Sequence, residues 1–544
     1  IDFGTTNTHI EYSVDGSTSS NPFDITEKDM QIQKLHITDD YMINDVFNSD
    51  FIPATIGGES LYGYPMRTVL SESNNTNWDK AVLTMANVNI PYTYEKSLSL
   101  PYNVLHTDLK WSTNTEDKKR ASKYIESILL MLRTKVLLNN GDLSKTEIVW
   151  FYPASMTQNR FNKFKAEWEN TFAMLFGAPI SNIIAASESV APYYYHKAKK
   201  GATSTVVSVD IGGGTTDVLI VDKGEPKYLT SFRFAANTIF GDGYSYDSDS
   251  NGFVNKYKDI ITNQLETNNL RGLKAVLKSV LDKRVSTDVI AFLFSLASNK
   301  EIKKEKVEIN FAKMLADDNR GKYVVILFYV AIVYHIAKLM KAKGFDMPRH
   351  MTFSGNGSKV LNILSTNDAT LVRLTKIIFE EIYAKPYSID GLDIIRPANS
   401  KESTCKGGII LTPFQSQDYG EIKDMKTILI GTDDVKFADT QMTYNDVSES
   451  DLKAVVDVIK DYIEFTFNLD KKFSFYDNFD VDRSIMTKVK DLCYRDIRTY
   501  LDNGLAIKKN EIAQDGADDN LEETLFFYPL VGIINAVVRN IYQM

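Results

Sequence analysis

Apolar and polar positions along this chain switch between a period of two and a period of about 3.6, as alternating strands and helices require. Ile125, Ile128, Leu129, Leu132 and Val136 fall on one helical stripe after a Lys/Arg-rich turn. Phe161, Phe164, Trp168, Phe172 and Leu175 form another, stopped by Gly177 and Pro179. Helical patterns from about 255 to 296 predict a helical insertion. Residues 323–337 are uncharged and strongly apolar, short of the roughly 20 residues that span a bilayer, and Lys338 and Lys341 follow. A buried helix is predicted there, with His335 a core or boundary histidine. Two-residue alternation marks β-like runs on either side of residues 210–216, and again through Ile10, Tyr12 and Val14 toward an Asp15–Gly16 turn. Beyond Pro413 the pattern predicts a short hairpin at 427–437 and three helices at 450–467, 483–501 and 521–542, the last preceded by an acidic, glycine-containing loop at 514–520.

Composition narrows the picture. With 544 residues the chain has room for two or more domains with real cores. A net charge of −9 and a pI of about 5.4, without any arginine-rich tract, argue against a general nucleic-acid binder. Cys405 and Cys493 are too few and too distant to read as a disulfide framework, which suits a reducing, cytoplasmic setting. The chain begins at Ile1 inside a strand pattern, so further residues are expected upstream.

The candidate chemistry lies in residues 208–220, SVDIGGGTTDVLI. Gly212, Gly213 and Gly214 make a hairpin tip of nearly bare backbone, open to a bulky anion, and Thr215 and Thr216 add hydroxyls. Asp210 and Asp217 stand at its rims, where they would orient hydrated Mg²⁺. Residues 1–8, IDFGTTNT, repeat the arrangement with Asp2, Gly4, Thr5 and Thr6. Two such hairpins far apart predict two related halves facing each other across a nucleotide. Asp247, Asp249, Asn251 and Gly252 begin like a calcium loop, but Lys258 stands where that loop needs a bidentate glutamate, so a polar surface turn is expected. No His/Cys metal cluster, nucleophile–base pair or Walker-type loop stands out in the sequence.

IDFGTTNT and DIGGGTTDV resemble the first and second phosphate motifs of the actin-like ATPase superfamily, most closely in its DnaK-type heat-shock chaperones. Further segments follow in that family's order. WFYPAS (150–155) is similar to the strand-and-proline segment of the first lobe, and IIAASESVAPYYY (183–195) resembles the first connecting segment, with Glu188 at its acidic position. MTFSGNGSK (351–359) resembles the adenosine motif and KESTCKGGIIL (401–411) the second connecting helix. The resemblance spans roughly residues 1–412. It implies an α/β, two-lobed actin-like ATPase fold of duplicated ribonuclease-H-like domains, with a mostly helical C-terminal extension. The first lobe would be 1–200 and the second 201–395; residues 396–544 would hold the connecting helix and the extension.

The resemblance also implies ATP or ADP with Mg²⁺ in the cleft. Gly4, Thr5, Thr6, Gly212, Gly213, Gly214 and Thr215 would bind the phosphates, and Gly355, Asn356, Gly357 and Ser358 the nucleoside. Asp2, Glu188, Asp210 and Asp217 would hold the metal mainly through water. The candidate catalytic set is Asp2, Lys110, Glu188 and Asp210. Lys110, in TDLKW, is the best match to the family's lysine near the γ-phosphate, although a plain surface lysine is the alternative. Lys303 and Lys304 lie where the chaperones place basic adenosine contacts, but KKEK also reads as a solvated helix face.

Slow ATP hydrolysis that sets the angle between the lobes is the expected output. The C-terminal helices, which do not read as the chaperones' β-rich peptide-binding module, would engage a protein partner. A filament-forming cytoskeletal ATPase is the alternative, and a small-molecule kinase ranks behind it for want of a marked carboxylate base. The apolar end, LFFYPLVGIINAVV, is expected to dock on the body, with a partner or a membrane surface as other destinations. A homo-oligomer is compatible with these readings.

Overall fold

In the computed structural model the described residues are 1–29, 64–73, 115–153, 158–200, 205–244, 251–387, 391–397, 402–411, 443–515 and 523–544. Short stretches at 31–32, 55–56, 82–85, 103–106, 109–110, 156, 429–430, 436–437 and 521 are described as well. The predicted calcium-loop residues Asp247 and Asp249 lie outside them, as does most of the 514–520 loop.

Two sheets organise the chain, and they have the same plan. In the first, β1 (Asp2–Phe3) and β2 (Asn7–His9) form an antiparallel hairpin, and β3 (Met66–Arg67) pairs antiparallel with β2. On the other side of β1 lies β4 (Ile148–Tyr152), to which Ile1 donates at Val149 O (2.7 Å) and from which it accepts at Phe151 N (3.3 Å), the bond pair of a parallel bridge. β5 (Ile183–Ser187) runs parallel to β4. The order is β3-β2-β1-β4-β5.

The second sheet repeats it. β6 (Val206–Ile211), β7 (Thr216–Asp222) and β8 (Glu225–Phe232) are an antiparallel meander, then β9 (His350–Ser354) and β10 (Asp393–Ile395) continue in parallel from β6, giving β8-β7-β6-β9-β10. Helices fall at matching places. α1 (Thr115–Leu138), α2 (Gln158–Phe176) and α3 (Val190–Lys200) precede β4, link β4 to β5 and follow β5. In the second half α8 (Lys322–Ala342), α9 (Asp368–Tyr383) and α10 (Glu402–Ile410) take those roles. The chain is therefore α/β with an internal duplication of one strand-and-helix unit.

The halves join where α3 and α10 cross. A Cβ on Gly407 would lie 1.8 Å from Ala191 O and one on Gly408 2.4 Å from Phe151 Cζ, so the glycine pair sets how closely these elements approach. An apolar cluster of Phe151, Val190, Tyr193, Val206, Leu219 and Cys405 fills the junction.

α4 (Ala236–Phe240), α5 (Gly252–Thr267), α6 (Arg271–Asp282) and α7 (Ser286–Ser295) form the helical insertion between β8 and α8. Asn251 caps α5, its side chain accepting from Phe253 N and Val254 N. α8 is apolar and long enough to cross a membrane by composition, but 94% of its apolar window is buried among the second half's other elements. His335 sits inside it, ringed by Phe232, Phe526 and Phe527.

The C-terminal region covers the second half. α11 (Glu449–Phe473), α12 (Met486–Cys493), α13 (Ile497–Asp515) and α14 (Phe527–Asn540) share one continuous apolar core with α8 and α9. The helix expected over 483–501 is instead two, because Asp496 takes a left-handed φ of +56° between α12 and α13. α13 then runs on to Asp515, into the expected loop. The terminal helix α14 is docked: Phe527, Leu530, Ile533, Ile534, Val537 and Val538 are all buried. Tyr542, just beyond it, and Tyr257 both donate to the Asp318 carboxylate, which Lys256 reaches at 2.8 Å. The short hairpin joins residues 429–430 to 436–437. The expected alternation through Val14 is not kept, since the first strand breaks at Ile10 and Val14 is 62% exposed. Asp15 and Gly16 both take positive φ in the turn beyond.

Candidate functional site

Both glycine hairpins have the same geometry. Asp2 lies opposite His9 and Phe3 opposite Thr8; Asp210 lies opposite Asp217 and Ile211 opposite Thr216. Residues 4–7 and 212–215 make loops of equal length, so the hairpins correspond without a gap. Gly4 matches Gly212 and Thr8 matches Thr216; Thr6, grouped by sequence with the paired threonines, falls opposite Gly214. His9 takes the place of Asp217, so the second rim carboxylate exists only in the second half. Asp210 and Asp217, directly across an antiparallel pair, project from the same face. Asp2 and Asp217 are buried and Asp210 half-buried.

Each hairpin is braced by residues that follow its third strand. Thr8 Oγ1 lies 2.9 Å from Thr68 Oγ1, and Thr68 reaches back from Oγ1 to Gly4 O (2.7 Å) and from N to Thr6 O (2.9 Å). In the second half Thr216 Oγ1 donates to Phe234 O at 2.6 Å. Ala236 N and Asn237 N then donate to Gly212 O and Gly213 O at 3.2 and 2.8 Å. Gly212 N turns inward to Thr215 O (2.9 Å), so the backbone left to face an anion is that of Gly213 and Gly214.

The hairpins meet across the cleft. A Cβ on Gly213 would stand 2.9 Å from Thr6 Oγ1, whereas one on Gly214 would have nothing within 4 Å. The tip thus combines a tight inter-lobe contact with adjoining open space. Gly212, Gly213 and Gly214 are half-buried, and Thr215 is nearly covered.

The 355–358 turn closes the other end. Gly355 has φ +78°, and a Cβ there would lie 2.3 Å from both Asp210 Oδ1 and Ile211 O; one on Gly357 would lie 2.1 Å from Gly212 O. Only glycine lets this turn sit on the second glycine hairpin. Ser354 Oγ donates to Asp210 Oδ2 (3.1 Å), and Ser358 Oγ to Gly355 O (2.7 Å). Asn356 is half-buried beside them.

Lys110 is buried with its ammonium on the Glu188 carboxylate, and Glu188 N donates to Tyr152 O at 3.0 Å. The surface-lysine alternative therefore does not describe Lys110. Lys303 and Lys304, by contrast, are exposed at the end of a short helix, Lys300–Lys304. At the cleft's flank, burial pushes the Asp288 carboxyl up against the opposing pull of Arg67 and Lys283. Burial lowers the Arg67 guanidinium in turn.

Sequence reasoning missed Thr68, Ser354 in its bracing role, Ala236 and Asn237. Thr68 and Asn237 carry no motif; only the return of the chain to the hairpin, after the third strand, reveals them. Ser354 stood inside the quoted glycine-turn motif, so its proximity to Asp210 was there to be asked.

No protein-family profile matches the chain, and no curated protein matches it. Among solved structures it is similar to MreB5 of Spiroplasma citri, determined with ADP bound, at 14% identity and a TM-score of 0.31 over 66% of this chain and 93% of that one. It is also similar to the ethanolamine utilization protein EutJ from Carboxydothermus hydrogenoformans, at 11% identity and a TM-score of 0.27 over 61% of this chain and 86% of that one. The repeated sheet order and the facing hairpins are read from this chain itself.

Proposed function

We propose that the chain is an actin-like, two-lobed ATPase in which a nucleoside triphosphate bridges the two halves. One observation carries this reading: two hairpins of identical register, on two sheets of identical order, meet at Thr6 and Gly213 beside open space. The bare backbone of residues 212–214 fits a phosphate group, and the Gly355–Gly357 turn stacked on it fits the nucleoside end.

Backbone amides of Gly4, Thr5, Thr6 and Gly213 to Thr215 would bind the β- and γ-phosphates, since phosphoryl transfer asks mainly for positioning and charge neutralisation; Gly212, whose amide closes the loop on Thr215 O, would shape it instead. Mg²⁺, when bound with the triphosphate, neutralises phosphate charge, and Asp2, Glu188, Asp210 and Asp217 would hold its waters. Lys110 would present its charge to the phosphates while Glu188 fixes its position. A γ-phosphate touching both hairpins favours closure, and its loss removes that differential contact. We read the protein as a cytoplasmic nucleotide-gated switch acting on a protein partner through its C-terminal helices. Nucleotide titration and phosphate release test the site. Asp2→Ala and Asp210→Ala are expected to weaken Mg²⁺-ATP binding and turnover by at least about tenfold; undiminished binding in both would refute the assignment.

A filament-forming ATPase is the second reading. Leu137, Leu138, Met174 and Ile180 are each exposed, at or just beyond the ends of α1 and α2, which the Arg133 bond to Leu175 O ties to each other. Sedimentation with ATP and with ADP separates the two, since a switch stays soluble across concentrations and a filament pellets.

A further inference from the structure

Residues 232–244 are gripped from two sides. On one side they carry the second phosphate hairpin, through Phe234 O, Ala236 N and Asn237 N. The Asn237 Oδ1 also lies 3.6 Å from where a Cβ on Gly213 would stand. On the other side they are held by the end of the chain. Phe527 stacks on Phe232 at 4.0 Å and packs on Phe234 at 4.7 Å. Arg233 N donates to Glu523 Oε2 at 3.0 Å, and the Arg233 guanidinium pairs with Glu511. Glu523 is itself buried, accepting from Tyr528 OH at 2.9 Å and facing Lys508 at 3.4 Å. Tyr244 OH donates to Tyr528 O at 2.7 Å, and Asn535 Nδ2 to Gly241 O at 3.5 Å. Gly243, at φ +56°, has Asn535 where a Cβ would go.

We infer that α14 and the segment leading into it are a positioning element of the phosphate site, and that nucleotide occupancy is sensed there through residues 232–244. The inference rests on the nucleotide reading above. Gly212 O and Gly213 O are held by Ala236 N and Asn237 N, and α4, which carries those two residues, packs against α14. A ligand that draws the hairpin toward Thr6 must therefore load the same contacts, and coupling of this kind is reciprocal: whatever loosens α14 weakens the ligand by the same factor. The end of the chain thus belongs to the frame of the site, and any partner gripping it would read the phosphate state directly.

The test uses the full chain with Mg²⁺-ATP as the probe. Hydrogen exchange of α14 amides is expected to slow on ATP addition, while that of α2, on the far lobe, stays unchanged. Asn535→Ala and Tyr244→Phe are each expected to lower ATP affinity about fivefold and to abolish the slowing in α14. Tyr383→Phe, which removes a bond to Phe345 O (2.9 Å) at the C-terminal ends of α8 and α9, is the stability control and should leave ATP affinity at the wild-type value. If wild type binds ATP but α14 exchange does not respond, or if all three variants lose affinity alike, the relay is wrong and the site reading stands. If wild type binds no ATP, both fall together.

Discussion

Gly213 and Gly355 hold opposite ends of the site without side chains, and the space around them differs in kind. At Gly355 an added Cβ meets backbone at 2.3 Å and the residue needs φ +78°, so neither repacking nor a rotamer change relieves it. At Gly213 the clash is with one hydroxyl, at 2.9 Å. Gly355→Ala is therefore expected to cost at least about 2 kcal/mol of stability and to abolish nucleotide binding, whereas Gly213→Ala should fold normally and bind ATP more weakly; calorimetric titration ranks them. Lys110 makes a second residue-scale prediction. Lys110→Met is expected to slow hydrolysis by about a hundredfold while ATP still binds, because one preorganised charge near a phosphoryl group is commonly worth that much. Single-turnover phosphate release checks it. The position of the glycines and aspartates in two hairpins was legible in sequence because a glycine run between short apolar runs is a local pattern. Thr68 and Asn237 were not, because a bracing hydrogen bond leaves no pattern along the chain.

At the scale of elements, α8 shows what decides whether an apolar helix is core. It is surrounded by α9, α11 and α14, and burial among three aromatic rings holds His335 neutral, with its pKa down at about 3. An unfolded imidazole takes up a proton below about 6.5, while the folded one resists until about 3. The unfolded state therefore binds more protons within that window, and stability falls as pH falls through it. Between pH 7 and 5 this one group is expected to remove about 2 kcal/mol. Urea titrations should show that loss in wild type and a flatter profile in His335→Leu. The register of the two hairpins belongs to this scale too. Strand pairing, which no local pattern states, places His9 where the second half has Asp217.

For the whole molecule, the C-terminal helices are bound into the second lobe and are not an appended module. Tyr462 donates to Leu327 O at 2.6 Å, Phe526 stacks on Tyr334, and Phe473 packs against Arg373 of α9. Removing them would expose most of one face of α8. A chain ending at residue 442 is expected to lose cooperative unfolding and to bind hydrophobic dyes, rather than to behave as a free ATPase body. Calorimetry and dye fluorescence decide between those outcomes.

Sequence by itself determined the α/β class, both glycine hairpins, the buried α8 and the presence of C-terminal helices, since each is written in local period or in glycine spacing. Tertiary structure decided the rest. It set the equal order of the two sheets, seated Lys110 on Glu188 and pressed α14 against the segment that braces the second hairpin. Those facts depend on contacts between residues tens to hundreds of positions apart, and side-chain pattern along a chain carries no record of which distant partner will fill a given face.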